Sequence, residues 1–148
     1  MPVTPSQFIK WAWELDLRIC SADKDLLGSL FIEKVSALAV TQGIAVYYLD
    51  FSTYESPEQV LLAPENDAFK RALENPSGKV LLWFDNCDSL APLYCAQTFQ
   101  LRSILTTNNS SDIQSVFIAQ RSGLIRLFYD SRAAFYQSNH NITSCGDI

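Results

Sequence analysis

Positively charged residues are scarce in this sequence of 148 residues. Eleven Lys and Arg residues stand against sixteen Asp and Glu residues, which gives a net charge of −5 at pH 7, and no segment concentrates the positive charges. Nucleic acids and anionic membranes are bound mainly through such concentrations of positive charge. The composition therefore disfavours a nucleic acid or another acidic partner.

Closely spaced metal ligands and secretion signals are also missing. The four cysteines, Cys20, Cys87, Cys95 and Cys145, lie far apart, and His140 is the only histidine, whereas zinc sites need closely spaced pairs such as CxxC. The N-terminal segment lacks the charged start and apolar centre of a secretory signal, and no apolar run approaches the roughly 18 residues of a membrane span. We therefore expect no metal, no cofactor and no membrane segment, and a cytoplasmic location with reduced thiols.

What the sequence does contain is a regular alternation of apolar strands and helical patterns. This alternation is typical of repeated β-α-β units around a parallel sheet. The length and the 48% hydrophobic content predict a single α/β domain over residues 1–148, built as a three-layer sandwich. Its sheet of about five mainly parallel strands is predicted at residues 15–20, 44–51, 79–85, 113–119 and 140–144.

Capping residues predict where the first two helices begin. The segment Thr4-Pro5-Ser6-Gln7 has the capping-box pattern and predicts an N-terminal helix over about residues 4–14. A second helix is predicted from a cap at Asp25 to Gln42, with Gly43 ending it. Six residues would form the buried stripe of that helix, namely Leu26, Leu27, Leu30, Phe31, Val35 and Leu38.

The most informative segment is the apolar run from Val80 to Phe84, which ends at Asp85. An unbroken apolar run predicts a strand that is buried on both faces of a parallel sheet. Such a strand would deliver the carboxylate of Asp85 to the sheet edge, where open α/β sheets bind their ligands.

The order of these motifs resembles the core of AAA-type P-loop ATPases. After the strand that ends at Asp85 come a helix at 101–105, a strand with a polar end at 116–120, and a glycine-containing turn and helix at 122–130. The resemblance covers most of the chain and implies a P-loop NTPase-like fold. It places Asp85 at the metal-binding position and Gln120 at the position that senses the γ-phosphate. Arg126 and Arg132 fall where related ATPases can present an arginine finger, although we expect both to be solvated or locally paired.

The sequence departs from that family at the residues that perform the chemistry. An active member has GxxxxGK[ST] after its first strand, whereas this chain reads CSADKDLLGS over residues 20–29. Asp23 and Asp25 would place negative charge at the N-terminus of the second helix and complement its dipole in place of a phosphate. Asn86 stands where the family has a glutamate that activates water, and an amide cannot accept that proton.

Two functions remain open from the sequence. The favoured one is a non-catalytic, degenerate AAA-like module that acts through protein–protein contacts as a regulator or adaptor, with a homo-oligomer left open. The alternative is a nucleotide or small-molecule binding domain, or a residual NTPase, that uses the crevice at the carboxyl ends of the strands. Its candidate ligand-binding residues are Ser21, Lys24, Asp50, Asp85 and Gln120. We expect Lys24 to be a solvated loop lysine, with a residual phosphate contact as the alternative.

Overall fold

The computed structural model describes residues 2–74, 78–106 and 112–144. The strands in this part of the chain are β1 (Pro2–Val3), β2 (Ile19–Asp23), β3 (Ala45–Asp50), β4 (Val80–Asp85), β5 (Ile113–Ala119) and β6 (His140–Ser144). They form one sheet in the order β1-β6-β2-β5-β4-β3, and each neighbouring pair is parallel. The predicted sheet of about five parallel strands is confirmed, and β1 extends it beside β6.

Helices cover both faces of the sheet. They are α1 (Pro5–Glu14), α2 (Ser29–Thr41), α3 (Pro57–Leu62), α4 (Asp67–Glu74), α5 (Ala96–Thr106) and α6 (Arg121–Phe128). α1 and α2 pack on one face through residues such as Phe8 and Phe31. α3 to α6 pack on the other face through residues such as Val60, Phe69 and Leu127. The predicted three-layer α/β sandwich is therefore confirmed. No helix in the described residues is long and apolar enough to cross a membrane.

β4 and β5 lie inside the sheet, and every residue of both strands is buried. The two faces of β4 pack against different helix layers. Phe84 packs against Phe117 with tilted rings and 4.7 Å between the ring centroids, while Trp83 lies on the opposite face beside Phe8. The apolar run before Asp85 is thus buried on both sides, as its composition predicts.

Local capping signals set the ends of two helices. The hydroxyl of Thr4 accepts a hydrogen bond from the N–H of Gln7, and the Gln7 side chain accepts one from the N–H of Thr4, so the capping box before α1 is present. Gly43 follows α2 with φ 78°, a left-handed conformation that glycine adopts without a steric penalty.

The predicted first strand, residues 15–20, is wrong in position. Leu15 is the C-cap of α1, and Asp16 and Arg18 adopt positive φ angles that interrupt an extended strand. The strand β2 instead continues to Asp23 because Ser21 fits inside the sheet. Its hydroxyl accepts a hydrogen bond from the Asn139 amide at 2.7 Å and is therefore satisfied although it is buried.

The predicted start of the second helix is also wrong. Asp25 lies in a turn, and α2 begins at Ser29 after the N-cap Gly28, with no acidic residue in its first turn. The carboxylates of Asp23 and Asp25 therefore do not cap the helix dipole. In the predicted stripe Leu27, Phe31 and Val35 are buried and Leu38 is partly buried, whereas Leu26 and Leu30 are exposed.

Candidate functional site

The carboxyl ends of the parallel strands meet at one edge of the sheet. After β2 the chain passes to α2 on one face, and after the neighbouring strand β5 it passes to α6 on the other face. Open α/β sheets bind ligands where adjacent strands diverge in this way. Asp23, Asp50 and Asp85 end their strands at this edge, so it is strongly acidic.

Asp85 is a buried carboxylate surrounded by donors. The ammonium of Lys24 lies 3.2 Å from its Oδ1 atom, and the backbone N–H of Asn86 donates to the same oxygen at 2.8 Å. The hydroxyl of Tyr48 donates to Oδ2. Both carboxylate oxygens are therefore bonded, one of them to a cation. Lys24, Tyr48, Asp50, Asp85 and Asn86 are called the strand-end network below.

Asn86 connects the other members of the strand-end network. Its backbone is left-handed, with φ 54° and ψ 37°, a conformation that asparagine tolerates better than most residues. Its amide nitrogen donates to Asp50 at 2.8 Å, and its amide oxygen accepts from Lys24. Asn86 thus holds a lysine and two carboxylates in place.

Burial and hydrogen bonds together determine the ionisation of Asp50 and Tyr48. Burial alone would raise the pKa of Asp50, but hydrogen bonds from Ser52 and Asn86 outweigh it and lower the pKa below its usual value. Burial, followed by the hydrogen bond to Asp85, raises the pKa of the Tyr48 phenol. At neutral pH Asp50 is therefore ionised and Tyr48 remains a hydrogen-bond donor.

Three of the five candidate ligand residues come together in the structure. Lys24, Asp50 and Asp85 belong to the strand-end network, but Ser21 and Gln120 do not. Ser21 lies inside β2 and is bonded to Asn139 and to Asn141. The exposed Gln120 is the N-cap of α6, and its side chain makes no capping hydrogen bond.

Lys24 lies in a loop and its side chain is 41% exposed, as expected of a solvated loop lysine. The structure differs from the expectation in one respect, because the ammonium is paired with Asp85 and bonded to Asn86. The backbone explains this position, because the N–H of Lys24 donates to the carbonyl of Ala119 at 2.9 Å and holds the residue against the end of β5.

Tyr48 and Asn86 are the members of this site that sequence reasoning did not select as binding residues. Tyr48 could have been found from the register, since it lies opposite Trp83, two residues before Asp85. That inference requires knowing that β3 pairs with β4, and the order of elements along the chain does not determine which strands are neighbours. Asn86 was identified as a departure from the family, but its part in connecting the network depends on its left-handed backbone.

A second polar groove lies beside the network at the same sheet edge. It has a volume of about 390 Å³ and is bounded by β2, α6 and β6. Ser21, Asn139 and Asn141 contribute polar groups, Arg121 contributes a cation, and Tyr129 contributes an exposed ring. Asn139 and Asn141 were not selected from the sequence.

The remaining candidate groups have local partners. Arg126 donates to the carbonyl of Ala91, and Arg132 pairs with Asp130 at 3.0 Å. In the part of the chain that the structure describes, both guanidinium groups are therefore bonded locally and do not extend as an arginine finger would. Among residues 2–74, 78–106 and 112–144, no group of three His, Cys, Asp or Glu side chains is placed to hold a metal ion.

No protein-family model and no curated protein matches the sequence. Among solved structures, the chain is similar to the ORC2 protein of Aeropyrum pernix, whose structure was determined in ADPNP–ADP complexes. The TM-score is 0.54 and the sequence identity is 12%. The match covers 95% of this chain and 45% of that protein, so the chain spans less than half of its length. This likeness shows the fold, which is P-loop NTPase-like and AAA-like.

Proposed function

We propose that this chain is a non-catalytic, degenerate AAA-like module that acts through protein–protein contacts as a regulator or adaptor. The observation that carries the proposal is the bond between the Lys24 ammonium and the buried carboxylate of Asp85. In an active P-loop the lysine contacts nucleotide phosphates. Here Lys24, the lysine of the loop after β2, is paired with the carboxylate of Asp85 instead.

Four of the five backbone amides in the loop after β2 already donate hydrogen bonds within the protein. The loop runs from Lys24 to Gly28, and these are the amides of its first four residues. Lys24 donates to Ala119, and the next three residues donate to Asp23, at 2.9 to 3.0 Å. A phosphate-binding loop works by directing such N–H groups at the anion. Binding a phosphate here would require breaking these bonds.

Electrostatics also oppose a triphosphate at this edge. The positive charge of Lys24 is balanced by Asp85, while Asp23, Asp25 and Asp50 add negative charge nearby. Like charges placed together across a binding site disfavour the complex. Asn86 cannot act as the base that activates water. The edge therefore lacks the attraction for phosphate that phosphoryl transfer requires, and it has no base at the position of the family's glutamate.

Exposed apolar side chains near the same edge support a role in protein contacts. Leu26 is 61% exposed, and Ile125 and Tyr129 are also exposed beside it around the second groove. Aromatic and apolar side chains that remain at the surface are typical of interface centres.

Nucleotide binding and hydrolysis test the proposal. Purified protein should show no thermal stabilisation by Mg²⁺ with ATP, ADP or GTP, and no hydrolysis above background. A ligand at about 100 times its dissociation constant would add about 2.7 kcal/mol of stability, which a thermal shift detects. Lys24→Met is the matched variant and should likewise show no stabilisation by nucleotide and no hydrolysis. A saturable stabilisation by nucleotide that disappears in Lys24→Met would contradict the proposal.

The second groove favours one alternative function, the binding of a small polar molecule. Its polar groups offer hydrogen bonds, and Arg121 and Asp23 contribute one charge of each sign. This mixture suits a small molecule with few charges better than a triphosphate. A ligand screen on wild type and Ser21→Ala tests it, and binding that survives Ser21→Ala unchanged would exclude this groove.

A further inference from the structure

In the part of the chain that the structure describes, β3 is an edge strand of the sheet. β3 is the last strand in the sheet order and pairs with β4 on one side. Across residues 2–74, 78–106 and 112–144, no other strand pairs with it. A strand at a sheet edge presents backbone groups that can pair with another strand.

The register identifies the backbone groups that face outward. The N–H of Ala45 donates to the carbonyl of Lys79 on the β4 side at 3.0 Å, and Ala45 is paired with Val80. In a parallel ladder alternate residues point to the same neighbour. Val46 and Tyr48 therefore direct their N–H and C=O groups away from β4. The following residue of this set, Asp50, has its carbonyl bonded to the Thr53 hydroxyl, so the free edge ends there.

This edge lacks the features that normally prevent pairing. Proteins protect exposed edges with lysine, proline, a bulge or a covering segment. The stretch from Ala45 to Leu49 contains no charged residue and no proline, and its ladder with β4 is continuous. Tyr48 is 51% exposed, which is high for a large aromatic side chain. Among the described residues this edge is therefore unpaired, and its stretch from Ala45 to Leu49 carries no charge.

We propose that β3 pairs with β3 of a second copy of this chain, antiparallel, about a twofold axis at Tyr47. Val46 of each copy then lies opposite Tyr48 of the other, and the four outward backbone groups of each strand are satisfied by four hydrogen bonds between the chains. In this register the β-branched Val46 faces the aromatic Tyr48 in two cross-strand pairs, and Tyr47 faces Tyr47 of the second copy. Cross-strand pairs of these kinds stabilise sheets.

Charge at the two ends of β3 favours a second copy in this orientation. The carboxyl end carries the ionised Asp50, whereas a groove at the amino end is lined by Arg71 and Lys79 together with Ala45 and Tyr47. Antiparallel pairing brings the acidic end of one copy beside the basic end of the other. Parallel pairing would set Asp50 against Asp50. The charges at the two ends of β3 are thus complementary to those of a second copy only when the two strands are antiparallel.

This pairing rests on the proposed protein-contact function and names a second copy as the partner. The nucleotide assays decide the non-catalytic role separately, because they do not depend on the oligomeric state. A monomeric protein that binds no nucleotide would reject the pairing and leave the non-catalytic role standing.

Charged substitutions of Tyr47, the residue at the twofold axis, test the pairing. Sedimentation of the wild type over a wide range of micromolar concentrations should approach twice the 16.6 kDa mass of one chain. Tyr47→Lys and Tyr47→Glu should each remain at the mass of one chain, because like charges then meet across the axis. An equal mixture of the two variants should recover the doubled mass. Tyr94→Lys, which changes a tyrosine that is 66% exposed elsewhere, should dimerise like the wild type.

Amide hydrogen exchange on the unmodified protein provides a test that needs no variant. The N–H groups of Val46 and Tyr48 should be protected at high concentration and lose protection on dilution. The proposal is overturned if the wild type stays at the mass of one chain, if both Tyr47 variants still dimerise alone, or if the two amides exchange equally fast at every concentration.

Discussion

At the scale of single residues, Asp85 shows how this chain uses a carboxylate that the family resemblance places at a metal-binding position. A buried carboxylate is costly unless its charge is balanced and its oxygens are bonded. Lys24, Tyr48 and the N–H of Asn86 provide both. These contacts also fix the ends of β2, β3 and β4 relative to each other, so the same groups act as a structural connection.

The Lys24–Asp85 pair can be tested by its contribution to stability. Lys24→Met keeps most of the apolar stem but leaves the buried carboxylate of Asp85 without its cation. Because the lysine side chain is 41% exposed, solvent screens part of the interaction, and we expect a loss of about 1 kcal/mol in the free energy of unfolding. Urea unfolding measures this loss. Lys10→Met, at an exposed helix position, is the control and should change the urea midpoint little. Equal midpoints in the two variants would show that the pair contributes no stability.

At the scale of elements, the sequence predicts best where burial is uniform. The run from Val80 to Phe84 and the capping box at Thr4 both behave as their patterns indicate. The first strand was misplaced because Ser21 reads as a loop residue until Asn139, 118 positions away, supplies its hydrogen bond. Asp25 is a residue type that often caps helices, but residues 23–27 form a turn closed by hydrogen bonds to Asp23, and α2 begins only at Ser29. Local sequence signals misplace the end of a helix or strand where a hydrogen bond to another residue determines that end.

Close packing of α6 provides a test at this scale. A Cβ atom at Gly123 would lie 2.2 Å from the Cβ and 2.9 Å from the Cα of Asp88, in the short helical turn Cys87–Ser89 after β4. Helix propensity alone would make Gly123→Ala stabilising by about 1 kcal/mol. Because the helix must move away from the turn, we expect instead a loss of about 1–3 kcal/mol.

The control for this substitution is the neighbouring residue. Ser122 is exposed on the same helix turn, so Ser122→Ala should change the free energy of unfolding little or raise it slightly. Denaturant unfolding of both variants measures the difference. A Gly123→Ala protein as stable as Ser122→Ala would mean that α6 does not pack tightly on Cys87–Ser89.

At the scale of the whole molecule, the architecture follows from the alternation of elements, but the site does not. Parallel strands, helices on both faces and the AAA-like fold were all predicted from patterns along the chain. The strand-end network joins residues from β3, β4 and the loops that follow β2 and β4, and their contacts depend on strand order and register. A linear sequence places Lys24 and Asp85 at two separate strand ends, and only the folded sheet shows that they meet.

Charge is the property of the whole molecule that gives the last prediction. The chain has a net charge of −5, and its sheet edge carries Asp23, Asp50 and Asp85. Binding to duplex DNA draws much of its affinity from cations that neutralise phosphates and release counterions. We therefore expect no binding of a fluorescent duplex in anisotropy titrations, either at low salt or at physiological salt. The low-salt measurement is the stricter one, because weak screening there exaggerates any electrostatic attraction. Saturable binding that weakens steeply as salt is added would show a basic surface that the composition conceals, and it would contradict the prediction.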